Sequence, residues 1–197
     1  MTTFTTVHPR KTVLVPSFSR VGNAALILAA SAFIALMAHV RLPLPFTPVP
    51  VTGQTFAVLL VGAALGSRRG ALAVLAYLAE GALGLPAFAS GAGLAYVFGP
   101  TGGYLVGFVA AAWVVGKMAE MGHDRRFATA WLGFLLGEMV LYAFGLAWLS
   151  RFVGWQQAIA LGLAPFVPAD ALKAVAAGLL LPAVWRFQQQ GYDDRSA

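Results

Sequence analysis

Cysteine is absent from this 197-residue chain, and charge is scarce: 10% of residues are charged, with 7 acids against 13 Lys plus Arg. Without thiols there are no disulfides, thiolate metal sites, iron–sulfur clusters or cysteine nucleophiles. The shortage of charge excludes an ordinary soluble domain, in which about a quarter of residues are charged. With 59% hydrophobic residues, a water-facing globule would carry apolar surface enough to aggregate. The net charge of +6 reflects missing acids more than a basic domain. Its Lys and Arg lie between apolar runs and not on one face, so no nucleic-acid partner is expected. Nucleotide and hydrolytic signatures are missing too. Gly116-Lys117 is followed by Met118, and Ala111 stands where a phosphate loop would need its first glycine. With no G-x-S-x-G and no H-E-x-x-H, the chain has neither a nucleotide-driven motor nor visible hydrolytic machinery. His8 and His39 lack a second ligand at metal spacing, so neither a metal nor a cofactor is expected.

What is present reads as an all-α membrane protein. A bilayer-spanning helix takes about 20 apolar residues; with connections the length admits about six. The apolar segments run roughly Val21–Val40, Gly53–Gly66, Arg69–Gly84, Thr101–Met121, Phe127–Leu149 and Phe166–Phe187. The second and third are short for spans. The first follows Arg10, Lys11 and Arg20 but is too long for the core of a secretory signal, about 7–15 residues, and no small-residue cleavage site follows it. It is expected to be a retained helix. No compositional break divides the chain, which gives a tail over 1–20, one transmembrane domain over 21–188 and a tail over 189–197.

Orientation follows from Lys and Arg. With a cytoplasmic N-terminus, that side holds Arg10, Lys11, Arg20, Arg68, Arg69, Lys117, Arg125, Arg126, Arg186 and Arg195, and the other side only Arg41 and Arg151. Both termini are therefore expected in the cytoplasm. The inner links, Ser67–Arg68 and Gly122–Arg126, are short. The outer ones, Arg41–Thr52, Leu85–Pro100 and Ser150–Pro165, are long, and long loops on a rigid scaffold commonly carry binding. For Ser150–Pro165 a merely tolerated loop is the preferred reading.

Three stretches carry chemistry. The first outer loop, RLPLPFTPVPVTGQT, has four prolines in eight residues, a stiff, non-helical strap suited to closing on a ligand at low entropic cost. Phe46 sits between the prolines, and Thr52 and Gln54 begin the next helix. The second outer loop ends in Gly99-Pro100-Thr101-Gly102-Gly103-Tyr104. This reads as a helix start with Thr101 at the N-cap, suited to an anionic or urea oxygen; Gly99, Gly103 and Gly107 equally spell close helix packing. The third, Phe166-Val-Pro-Ala-Asp170-Ala-Leu-Lys173, puts Asp170 and Lys173 three apart on one helix face, near the outer end of the last span. Burying either charge costs about 2.5–3.5 kcal/mol, so the pair should face the bundle interior, as a ligand site or as a self-neutralising structural pair. Glu80 and Glu138 also fall within spans, as proton sites, ligand contacts or carboxyls hydrogen-bonded to a neighbouring helix. Small residues four apart (Ala25/Ala29, Gly62/Gly66, Gly133/Gly137) let backbones approach; on the first helix they offer a docking face for another membrane protein.

On PFTPVPVTGQTFAVLLVGAALG (45–66), YLAEGALGLPAF (77–88), FGPTGGYLVGF (98–108) and FVPADALKA (166–174), the chain resembles the BioY family, the biotin-specific substrate-binding (S) components of bacterial energy-coupling-factor (ECF) transporters. The resemblance covers nearly everything beyond about residue 20. It implies a six-helix S-component bundle in the cytoplasmic membrane, high-affinity capture of biotin from outside, and partnership with a membrane T component and a pair of cytoplasmic ATPases. Some members are considered able to act alone or as homo-oligomers. Asp170 and Lys173 match the family's D-x-x-K, associated with biotin recognition, and Phe46, Gln54, Tyr104 and Ser90 are further expected contacts. Glu80 departs from the pattern, standing where an aliphatic residue is expected. The alternatives are an S component for another vitamin, an autonomous proton-coupled carrier using Glu80 or Glu138, and, last, a membrane enzyme.

Overall fold

A computed structural model describes residues 13–196 of the chain, with side chains as far as Gln190; His8, Arg10 and Lys11 and the side chain of Arg195 lie outside the described residues. Helix dominates. α1 (Arg20–His39) opens with Ser19 at its N-cap, the hydroxyl accepting from the Gly22 amide at 3.2 Å. The proline-rich strap follows and closes on itself through a two-residue ribbon, β1 (Arg41–Leu42) antiparallel to β2 (Val51–Thr52). Then come α2 (Gln54–Leu65) and α3 (Ser67–Ala82), a one-turn α4 (Leu94–Val97), α5 (Gly102–Glu120), a 3₁₀ turn at His123–Arg125, α6 (Phe127–Val153), α7 (Trp155–Gly162) and α8 (Val167–Ser196).

All six apolar segments are helical, but only α1, α5, α6 and α8 are long and apolar enough to cross a bilayer individually. At 1.5 Å per residue, the 12-residue α2 and 16-residue α3 reach only about 18 and 24 Å, against a hydrocarbon core of about 30 Å. The reason is local: the strap and a very tight turn take residues that longer spans would need. That turn corrects the expected Ser67–Arg68 link, because both residues are helical and Gly66 alone separates α2 from α3. Its φ of 85° lies in the region that glycine enters without strain. Glu120, at the end of α5, secures the turn by accepting from the Ser67 amide at 2.9 Å and hydroxyl at 2.7 Å, which places an anion on the positive end of α3.

Glycines set the centre of the bundle. A Cβ on Gly62 would stand 2.5 Å from the Ala112 carbonyl oxygen, and one on Gly116 2.4 Å from the Ser67 nitrogen. α5 therefore crosses α2 and α3 at backbone contact. A Cβ on Gly107 would stand 2.9 Å from the Leu141 carbonyl oxygen of α6, still too close for a side chain, and Gly103 meets Trp148 and Phe144. Packing thus claims Gly103 and Gly107. Gly133, by contrast, has only ordinary contact with Met118, at 3.6 Å. Thr101 occupies the N-cap position of α5, but its side chain caps nothing.

The Ser150–Pro165 segment is not a plain loop. α6 runs on to Val153, the chain turns at Gly154 (φ 79°), and α7 folds back beside the strap. Strap, the 83–101 segment and α7 gather at one end of the bundle, hereafter the pocket end; the Gly66 turn and the 3₁₀ turn lie at the other.

Candidate functional site

A cavity opens at the pocket end, between the strap, α2, α5, α6 and α8, with about 490 Å³ of space counting its open mouth. Its walls are aromatic and aliphatic, from Tyr96, Leu105, Phe108, Leu141 and Phe166, with polar groups concentrated on one side.

Those polar groups form one network around Asp170, whose side chain is only 3% exposed. Pro168 lies in the first turn of α8, where its missing N–H leaves no helical bond unmade, and the two following residues bring Asp170 round to the cavity. Lys173 follows one turn on and pairs with Asp170 Oδ1 at 2.7 Å. The ammonium also donates to the Thr55 hydroxyl and to the Thr52 carbonyl, each at 2.8 Å, so all three of its protons are committed. The Thr55 hydroxyl passes its own proton to Asp170 Oδ1 at 3.2 Å, and the Tyr142 hydroxyl donates to Oδ2. A charge pair sunk this deeply is tolerable only when fully hydrogen-bonded, and this one is. Lys173 keeps 18% of its side chain exposed, so it is the charge an incoming group can reach.

Gln54 is buried beside this network. Its amide nitrogen donates to the Tyr77 hydroxyl, and its carbonyl accepts from Thr52 Oγ1 at 3.2 Å. Tyr104 presents its ring to the cavity and spends its hydroxyl proton on the Gly162 carbonyl of α7, at 2.8 Å. From the other side of the mouth, Thr47 of the strap donates to the Leu161 carbonyl at 2.7 Å. α7 is therefore the element that ties the strap to the cavity wall.

Of the expected contacts, Asp170, Lys173, Gln54 and Tyr104 come together at this cavity, and Phe46 and Ser90 do not. Phe46 is 58% exposed on the outside of the strap. Ser90 accepts from Arg41 at 3.0 Å, and the same guanidinium reaches the Ala89 carbonyl. This fastens the base of the strap to the 83–101 segment, away from the lining. Two network members went unanticipated in the sequence. Thr55 is three residues after Thr52, on the same side of the α2 entry, and Tyr142 is one helical turn beyond Glu138. That i+4 relation is the signal that would have found it.

The two glutamates that fall within apolar segments part company. Glu80 accepts a 2.8 Å hydrogen bond from Ser31 of α1, the helix-to-helix arrangement, remote from the cavity. Glu138 is buried next to the network, and its Oε1 has no hydrogen-bond partner among the described residues.

A profile of the BioY family matches residues 9–190. Among curated relatives, the chain is 40% identical over 167 residues to "Biotin transporter BioY" of Rhizobium etli, covering 80% of this chain and 89% of that protein. It is 42% identical over 135 residues to "Probable biotin transporter BioY" of Pyrococcus horikoshii, covering 68% and 78%, and 42% identical over 139 residues to "Biotin transporter BioY" of Thermotoga maritima, covering 70% and 81%. In fold it is similar to the crystallised S-component for biotin from an ECF-type ABC transporter, with a TM-score of 0.76 over 87% of this chain and 95% of that one at 24% identity.

Proposed function

This chain belongs to the BioY family, and we propose that it captures biotin in the Asp170–Lys173 cavity and serves biotin uptake as the substrate-binding subunit of an ECF transporter. It is a transporter component and not an enzyme. In this reading α2 and α3 complete a six-span bundle over residues 21–188 with tails of 1–20 and 189–197, lodged in the bacterial inner membrane. Both termini are cytoplasmic and the pocket end faces outward. The distribution of charge supports that orientation: Arg41 and Arg151 lie at the pocket end, against Arg20, Arg68, Arg69, Lys117, Arg125, Arg126 and Arg186 at the opposite end or toward it.

The observation that carries the assignment to this cavity is the buried Asp170–Lys173 pair beside apolar walls. Biotin brings two urea N–H donors, a urea oxygen, an apolar thiolane ring and a carboxylate on a short chain. Lys173, the reachable charge, turns a proton to the urea oxygen or the carboxylate. Asp170 holds that ammonium in place and offers a lone pair to a urea N–H. Gln54 and Tyr104 complete the polar and aromatic wall. Phe46 and Ser90 are assigned to the closing strap, Phe46 turning inward over the bicycle as the strap shuts and Ser90 steadying the strap's base.

α1 fits the partner side of this reading. Ala25, Ala29, Ala32 and Leu36 form one exposed stripe, a smooth face for a membrane T component that links the chain to a pair of cytoplasmic ATPases. The unpartnered Glu138 oxygen favours one second reading, a self-sufficient proton-coupled carrier that also forms homo-oligomers. Uptake that survives ATP depletion but collapses with the proton gradient would select it.

The deciding experiment is equilibrium titration of the detergent-purified chain with biotin, with desthiobiotin and thiamine as controls. Tight, saturable biotin binding by the chain alone is expected. A folded sample that ignores micromolar biotin, or prefers thiamine, overturns the reading.

A further inference from the structure

A second, more open concavity lies on the outside of the bundle, between α5 and α6, with about 800 Å³ of space counting its open mouth. Small and apolar residues make it: Val106 on α5 and Ala143, Phe144 and Ala147 on α6. Val106 and Phe144 are 52% and 45% exposed, so the groove opens outward, into lipid in a chain that spans a membrane. At its pocket-end mouth stands Arg151, its guanidinium 5.1 Å from the centre of the Trp148 ring. Trp148 is itself fixed by a 2.9 Å hydrogen bond to the Gly99 carbonyl. Arg151 is exposed and pairs with no carboxylate among the described residues.

Two lengths place this arginine. α6 has 27 residues, about 40 Å, which exceeds the hydrocarbon thickness of about 30 Å. Arg151, two residues before its end, therefore reaches the headgroup layer while Ala143 and Ala147 remain at acyl depth. A cation stacked on Trp148 above an apolar trough matches an amphiphile with an anionic head and a hydrocarbon tail. A second copy of the chain matches less well. Two copies facing each other across this groove about an axis normal to the membrane would set their Arg151 residues at the same height, like charge against like.

We propose that the α5–α6 groove is a binding site for an anionic phospholipid, one acyl chain lying against Ala143, Ala147 and Val106 and the phosphate paired with Arg151. The site is separate from the Asp170–Lys173 cavity, and its occupant is not transported.

The test uses the full chain, purified in detergent and incubated with phosphatidylglycerol or phosphatidylcholine, with retained lipid read by native mass spectrometry. The wild-type chain retains phosphatidylglycerol over phosphatidylcholine by roughly fivefold, the preference expected of one well-placed cation. Arg151→Gln abolishes that preference and Arg151→Lys keeps most of it. Ala143→Trp, which fills the trough, lowers retention of both lipids, and biotin titration reports that each variant is folded. Should Ala143→Trp fail to fold, the Arg151 pair decides alone. Equal phosphatidylglycerol retention by wild type and Arg151→Gln overturns the proposal. So does efficient disulfide cross-linking of Ala143→Cys, the sole thiol of that variant, in native membranes, because a second copy would then occupy the groove.

Discussion

α1 and α5 are nearly the same length, 20 and 19 residues, and both are apolar enough to span a bilayer, yet three residues of one and eleven of the other are buried. Hydropathy does not separate them; if anything the exposed helix is the more apolar, at 2.1 against 1.4. Small residues that actually meet a backbone do. α5 carries Gly103, Gly107 and Gly116 against α6 and the α2–α3 turn, and with lipid as the alternative neighbour, such close approach is what holds membrane helices together. α1 buries only Ser31, Ile34 and Ala38, and its alanine stripe stays exposed among the described residues. The lesson is that small-residue spacing marks a surface fit for close approach without saying whose surface will approach it.

The contrast can be broken most severely on the α5 side. Gly107→Leu drives a branched side chain into the α6 backbone and is expected to abolish folding and membrane accumulation, an overpacking cost of about 3 kcal/mol or more; expression and size-exclusion profiles read it. Next in size is Lys173→Ala, on the cavity wall that α5 supports through Tyr104 and Phe108. It should weaken biotin binding by about 2–5 kcal/mol with helix content unchanged, as titration and circular dichroism would show; loss of the protein from the membrane would instead make the pair structural.

On the exposed side, Ala29→Leu should leave the biotin titration unchanged and lower uptake in cells about tenfold, which in energetic terms is about 1.4 kcal/mol of lost docking. Parallel loss of binding would mean that α1 packs inside the chain after all. Ser31→Ala removes the one side-chain bond from α1 to Glu80 and should lower thermal stability by about 1 kcal/mol. Smallest is a pH effect at the end opposite the pocket. Asp124 is buried there under Trp185, which donates to its Oδ2 at 2.6 Å. Burial raises its pKa, and the Trp185 hydrogen bond only partly opposes this. The folded state then holds a proton that the unfolded chain releases near pH 4. Stability should therefore fall as pH rises from about 4 to the raised value and level off above it. Asp124→Asn, which keeps an acceptor for Trp185, should flatten that slope in melting curves taken across pH.

The main helices were legible because each apolar run opens at Arg, Gly or Pro, even where, as in α2 and α3, it is short for a span. α7 was not, since eight residues reading WQQAIALG carry no cap or length signal that separates a short helix from a loop. At the cavity, Asp170 and Lys173 could be read because helical spacing alone puts them on one face. Gln54 and Tyr104, near the starts of their helices, were within reach for a similar reason. Phe46 and Ser90 depend on which way an irregular segment turns, and no periodicity encodes that. Thr55 and Tyr142 reach Asp170 across 115 and 28 residues of sequence, a convergence set by how α2, α6 and α8 pack.

The commitment of all three Lys173 protons has a consequence for how the cavity takes a guest. On the proposed reading, the Thr52 carbonyl and the Thr55 hydroxyl are the acceptors that a ligand would have to replace. A newcomer is weighed against that internal rival and not against water, so a poor acceptor gains nothing by entering. Thr52 also belongs to the ribbon that closes the strap, paired with Arg41. On the proposed reading, drawing the ammonium toward biotin would exchange its bond to Thr52 for one to the ligand, so that recognition is felt at the foot of the strap that closes over it.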